Sequence, residues 1–99
     1  MEIKKISTES SSILTISGKI GNNTSNEFLK ELLDTIPDKE KTILDCMDLE
    51  YINSTGLRAL LQGLQLAEEI GTELVVKNVS EEINELFNIT GFDELLKIV

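Results

Sequence analysis

The chain has 99 residues and a mass of 11.0 kDa, with 40% apolar and 27% charged residues, the make-up of one globular domain and not of a disordered tail. Nine basic against eighteen acidic residues leave a net charge of −9, the wrong sign for gripping nucleic-acid phosphates or an anionic membrane surface. Histidine is absent and cysteine occurs once, at Cys46, which excludes Ser-His-Asp and Cys-His catalytic sets, Cys/His zinc sites and an intrachain disulfide.

Met1 to Lys5 carries two lysines but no apolar run behind them, because Ser7 to Ser12 is polar. No signal peptide is expected, and no stretch approaches the roughly 18 apolar residues of a membrane span. The expectation is a cytoplasmic chain whose residues 1–99 form a single domain. Ile3 to Ile6 reads as a short strand, Thr8 to Ser11 as a polar turn, and Ser12 to Lys19 as a second strand, together a hairpin. The serines at 7, 10, 11 and 12 fit a turn, where hydroxyls bond their own backbone.

Gly18 and Gly21 are expected to end that strand. Thr24-Ser25-Asn26-Glu27 fits a capping box, and Phe28, Leu29, Leu32, Leu33 and Ile36 follow as an apolar stripe that Pro37 stops. After the charged run Asp38 to Lys41, Thr42 to Met47 predicts a strand and Asp48 to Asn53 a loop. A long helix is predicted over Ser54 to Ile70, with Leu57, Leu60, Leu61 and Leu64 inward and Gly71 as its stop. Ala59, Gly63, Leu66 and Ile70 form a second stripe, suited to neighbouring elements or to another subunit. Leu74 to Val76 gives a further strand. Ser80-Glu81-Glu82 opens a third helix with Ile83, Leu86 and Phe87 inward, Gly91 ends it, and an apolar tail runs from Phe92 to Val99. Strands alternating with helices predict an α/β fold, a mixed sheet of about four to five strands with helices packed on it.

Ligands of such sheets gather at strand C-termini and helix N-termini, and the richest junction runs from Asp45 to Arg58. Asp45, Asp48 and Glu50 could bind Mg²⁺ or do acid–base work, or be solvated residues. Asn53-Ser54-Thr55-Gly56 could be a plain helix cap or a regulatory serine on a small helix start that a partner docks against. Gly56 costs helix propensity, roughly 1 kcal/mol relative to Ala, and is tolerable where something approaches the backbone closely.

The stretch Ile43 to Leu57 resembles the signature of STAS domains, the bacterial anti-sigma factor antagonist family: a strand ending in aspartate, a short loop, an apolar residue, then Asp-Ser-Ser/Ala-Gly-Leu opening a helix. Gly18-Lys19-Ile20, Leu74 to Val79 and Ile89-Thr90-Gly91-Phe92 extend the likeness over nearly the whole chain. The resemblance implies a single-domain STAS-like fold and a non-enzymatic, phosphorylation-controlled binding protein without cofactor or metal. Ser54 falls on the family's phosphorylated serine. Glu50, Tyr51, Asn53, Ser54, Thr55, Gly56 and Arg58 fall on its partner-binding face. The implied partners are an anti-sigma factor that is itself a serine kinase, bound when Ser54 is unphosphorylated so that the sigma factor is freed, and a metal-dependent phosphatase acting on phospho-Ser54. A monomer or weak dimer is expected. Asn53 stands where the family has an acid and Gly21 where an aspartate is common. Two other readings stay open: a never-phosphorylated STAS scaffold or subunit of a signalling or transport assembly, favoured by Asn53, and a small metal-dependent enzyme or carrier using the three carboxylates.

Overall fold

The computed structural model describes residues 1–99. Its elements are β1 (Glu2–Ser7), β2 (Ser11–Ile20), α1 (Ser25–Thr35) with a 3₁₀ turn (Ile36–Asp38), β3 (Lys41–Ile52), α2 (Ser54–Ile70), β4 (Glu73–Lys77), α3 (Glu81–Thr90), α4 (Phe92–Leu95) and β5 (Lys97–Ile98). The sheet order is β1-β2-β3-β4-β5. β1 and β2 form the expected hairpin, and every later pair is parallel. Parallel crossovers running one way along a sheet keep one hand, so the helices collect on one face. The core is continuous there: Leu14 and Ile16 of β2, Leu44 and Cys46 of β3 and Val76 of β4 meet Phe28, Leu32, Leu57, Leu60 and Phe87 of the helices. The opposite face carries one apolar row, Ile6, Ile13, Ile43 and Val75 in direct register, between polar rows.

The largest departure from expectation is in β3. Asp48 to Asn53 was expected as a loop, but the strand continues to Ile52. Its register against β2 slips twice. Asp45 and Asp48 pair with Thr15 and Ser17, and Leu49 and Tyr51 pair with Gly18 and Lys19, so β3 carries an extra residue in each interval. Each slip is a β-bulge, which breaks the two-residue alternation of a strand. The inward residues therefore fall at Cys46, Leu49 and Ile52, and the alternation by which a strand is recognised in sequence is lost.

Smaller corrections concern α1 and the tail. The Thr24 hydroxyl does not cap α1. It accepts from the Gly21 amide at 2.9 Å and so closes the turn after β2. β2 passes through Gly18, at φ 84°, to Ile20, so that of the two expected end signals Gly21 and not Gly18 stops it. On α1 the buried face is Ser25, Phe28, Leu32 and Thr35, continued by Ile36 of the 3₁₀ turn, while Leu33 lies off it and is 37% exposed. Leu61 of α2 is only half-buried. Ala59 and Gly63 lie under a neighbour within the chain: a Cβ at Gly63 would stand 3.1 Å from Leu32 Cδ1, so the small residues let α1 and α2 close together. The tail is ordered as α4 and β5, with Leu96 buried and Phe87 stacked on Phe92 at 6.2 Å.

The bulges make a direct prediction. Leu49→Ala should cost about 2–5 kcal/mol, as for a buried leucine, while Asp48→Ala should stay within about 0.5 kcal/mol. Urea melts of the two variants check this; equal, small losses would mean that β3 does not carry its bulges.

Candidate functional site

The bulged end of β3 feeds directly into α2, and the chain turns there within one residue. Asn53 is extended, at φ −101° and ψ −174°, and its side chain caps α2 by accepting from the Gly56 amide at 3.1 Å. The same oxygen accepts from the Thr55 hydroxyl at 2.7 Å. The Asn53 side-chain amide donates to Asn22 Oδ1 at 2.9 Å, and the Asn53 backbone amide donates to the Ile20 carbonyl at 3.1 Å. The last two bonds, with a longer one from the Thr55 hydroxyl to Asn22 Oδ1 at 3.3 Å, tie the helix start to the end of β2 and the loop after it. Asn22 is the site residue that sequence reading missed. An exposed asparagine one residue past a strand-ending glycine is the signal that could have found it, since asparagine side chains bridge local backbone and loop groups.

Ser54 sits in the middle of this network and takes no part in it. Its side chain is exposed and its hydroxyl makes no hydrogen bond within the protein. By the geometry of any helix start, the amides of Ser54 and Thr55 have no acceptor inside the helix, and the positive end of the helix dipole lies there. Thr55, in contrast, is half-buried and its hydroxyl proton is used on Asn53.

Gly56 is the structural key of the corner, and it is buried. A Cβ there would stand 2.6 Å from Ile52 Cγ1 and 2.8 Å from Ile20 Cγ2. What approaches this backbone closely is the protein's own sheet, so Gly56 offers no surface to a partner. The exposed residues around Ser54 are Glu50, Tyr51 and Arg58. Tyr51 is 52% exposed and borders a shallow groove whose other wall is Glu82, Ile83 and Leu86 of α3. Arg58 lies one turn along α2 from Ser54 and enters none of the chain's ion pairs, which are Lys4–Glu2, Lys5–Asp38 and Lys97–Glu73.

The three carboxylates do not converge, and no group of three or more His, Cys, Asp or Glu comes together to hold a metal ion. Asp45 has a different task. Its carboxylate accepts from the Asn78 side chain at 2.9 Å and from the Met47 amide at 3.1 Å, tying the first bulge of β3 to the loop after β4, where Asn78 adopts φ 58°. The hydrogen bond from Asn78 holds the Asp45 carboxyl below the usual range, with the Met47 amide and Lys77 acting in the same direction against partial burial. Cys46, next in the chain, is buried, and burial together with the Asp45 charge pushes its thiol up to about 12, which leaves it inert as a nucleophile. The corner thus presents one free hydroxyl on a rigidly capped helix start, with no side chain placed to deprotonate it. It can dock against a surface, and it can accept a group from an enzyme that brings its own base.

If the glycine sets the corner's geometry, Gly56→Ala should destabilise the protein by about 1–3 kcal/mol through overpacking, although alanine is the better helix former by about 1 kcal/mol. A denaturant melt checks the sign; a stabilised variant would mean that α2 has room to move off the sheet.

Comparison with known proteins places this geometry in a family. The sequence model of the STAS domain matches residues 2–99. The chain is 30% identical over 100 residues to an anti-sigma-B factor antagonist of Listeria monocytogenes, an alignment covering 99% of this chain and 86% of the relative. Among solved structures, a putative anti-sigma factor antagonist of Thermotoga maritima superposes with a TM-score of 0.89 at 19% identity, covering 97% of this chain and 84% of the other. The anti-sigma factor antagonist SpoIIAA in its unphosphorylated form gives 0.82 at 13% identity, covering 99% and 88%. No helix is long and apolar enough to cross a membrane. On the match along its whole length, with the bulged strand, the capped helix and the five-stranded sheet beneath them, the chain belongs to the STAS domain family.

Proposed function

We propose that this chain is a phosphorylation-controlled antagonist of an anti-sigma factor, acting as a cytoplasmic single-domain binding protein and not as an enzyme. The observation that carries the reading is Ser54: an exposed hydroxyl, free of internal hydrogen bonds, on the capped helix start of a chain 30% identical to an anti-sigma-B factor antagonist. Unphosphorylated, the corner docks on the anti-sigma factor through Glu50, Tyr51, Ser54 and Arg58, with Asn53 and Thr55 fixing the helix start and Gly56 seating it from beneath. The sigma factor is thereby released. The anti-sigma factor is itself the serine kinase: it transfers the γ-phosphoryl group of ATP to Ser54 Oγ, its own base takes the hydroxyl proton, and ADP leaves. A phosphatase hydrolyses the ester and resets the switch. The antagonist works as a monomer or weak dimer.

The physics favours control of binding over control of folding. A phosphate on Ser54 adds about −1.5 to −2 charges. At a helix start that charge meets free amides and the positive dipole end, worth roughly 0.3–1 kcal/mol in favour of the fold. At a docked surface shaped for a neutral hydroxyl the same charge must be desolvated without a designed partner, which costs more. Asp48 and Glu50 add like charge nearby. Asn53 keeps the cap while omitting the acid that the family carries beside its phosphorylated serine.

Incubation with the cognate kinase and ATP should place phosphate on Ser54, not on Thr55 or the serines at 7 to 12, as peptide mapping by mass spectrometry would show. Ser54→Asp should weaken partner binding at least tenfold, about 1.4 kcal/mol, in calorimetric titration while melting like the parent. Ser54→Ala should bind nearly normally and resist phosphorylation. Phosphate confined to the 7–12 turn, or a Ser54→Asp variant that binds like the parent, would rule the switch out.

A further inference from the structure

We infer that Arg58 is the counter-ion of phosphorylated Ser54, so that the phosphate both adds charge to the docking face and withdraws that face's one cation on α2. The inference rests on the reading of Ser54 as the modified residue and concerns what holds the phosphate once it is there. Ser54 and Arg58 are the first and fifth residues of α2, four apart, which puts their Cβ atoms on one side of the helix about 5–6 Å apart. Helical side chains lean toward the N-terminus, so the surface that Arg58 covers is the turn carrying Ser54. The order is also the favourable one, the anion N-terminal to the cation.

Charge accounting points the same way. Arg58 is the one cation of α2, and like Lys19, Lys30, Lys39, Lys41 and Lys77 it makes no ion pair. The groove it borders between α1 and α2 is lined by the neutral Ser25, Asn26, Thr55 and Gln62, with no acid among its walls. The first turn of α2 holds no acid either. A phosphate on Ser54 would supply the missing anion in reach of a guanidinium, which matches phosphate oxygens with two parallel donors. Before phosphorylation Arg58 is free to pair with an acid of the partner. Afterwards it is occupied. One modification would then change two interactions at the interface.

The test builds phosphoserine into position 54 during translation, which needs no kinase, and follows the phosphate's second ionisation by ³¹P NMR titration in the parent, Arg58→Gln and Arg58→Lys. Asp48, Glu50 and Tyr51 of β3, Lys19 of β2 and Glu27 in the first turn of α1 are the same in all three proteins, so their influence cancels in the comparison. A free phosphoserine ionises near 6, and the parent's midpoint should lie about half a pH unit or more below that of Arg58→Gln, with Arg58→Lys restoring most of the shift. The difference should shrink in high salt. Equal midpoints in parent and Arg58→Gln, with both proteins melting normally, would overturn the pairing. A kinase that ignores Ser54 would defeat the proposed function and leave this result standing, and equal midpoints would leave the proposed function standing.

Discussion

The corner of this protein depends on how closely the first turn of α2 lies on the ends of β2 and β3. Gly56 sits where any side chain would collide with Ile20 and Ile52, both buried in the same core. Because the contact is backbone against side chain, α2 cannot slide or tilt there without opening a gap in a region packed as densely as an organic crystal. The position of Ser54 follows from it. A helix seated on its sheet by a glycine two residues past a serine holds that serine at a fixed height above the strand ends, with its hydroxyl turned outward.

The bulges of β3 and the cap on α2 are two parts of the same device. Inserting a residue twice re-aims the strand so that Leu49 and Ile52 still reach the core while Glu50 and Tyr51 stay in solvent beside the helix start. Asp45 closes the first bulge through the Met47 amide and anchors it to Asn78. Asn53 then consumes the polar groups that would otherwise compete for the Ser54 hydroxyl: its oxygen takes the Gly56 amide and the Thr55 hydroxyl, and its amide holds Asn22. The result is an exposed hydroxyl beside side chains already bonded to one another, with the helix-start amides and Arg58 left free. Such a site can take on two charges without disturbing what holds it in place.

Elements with an unbroken period were legible in the sequence. The hairpin, α2 with its Gly71 stop, β4 and the Ser80 cap of α3 were all readable from apolar spacing and end signals, and the Ser80 hydroxyl does accept from the Ile83 amide at 3.2 Å. The second half of β3 was not legible, because bulges convert a spacing of two into one of three and leave no strand signal. The capping box at Thr24 failed for a different reason: a threonine hydroxyl has several local acceptors and donors in reach, and here the turn amide of Gly21 won. β5, with two residues, is too short to leave a pattern at all. At the site, the serine was found through the family likeness. The closeness of approach at Gly56 was readable from its helix cost, but which surface approaches was not, since Ile20 lies far from it in sequence.

The central claim is that phosphate on Ser54 changes what the surface binds and leaves the fold alone. Amide hydrogen exchange of the unmodified and Ser54-phosphorylated proteins tests it most directly, because it reads local opening residue by residue. The account predicts altered protection only around Asn22 and from Asn53 to Arg58, with the slowest amides of β2, β3 and β4 exchanging at the same rate in both forms. A general loss of protection across those strands on phosphorylation would contradict it.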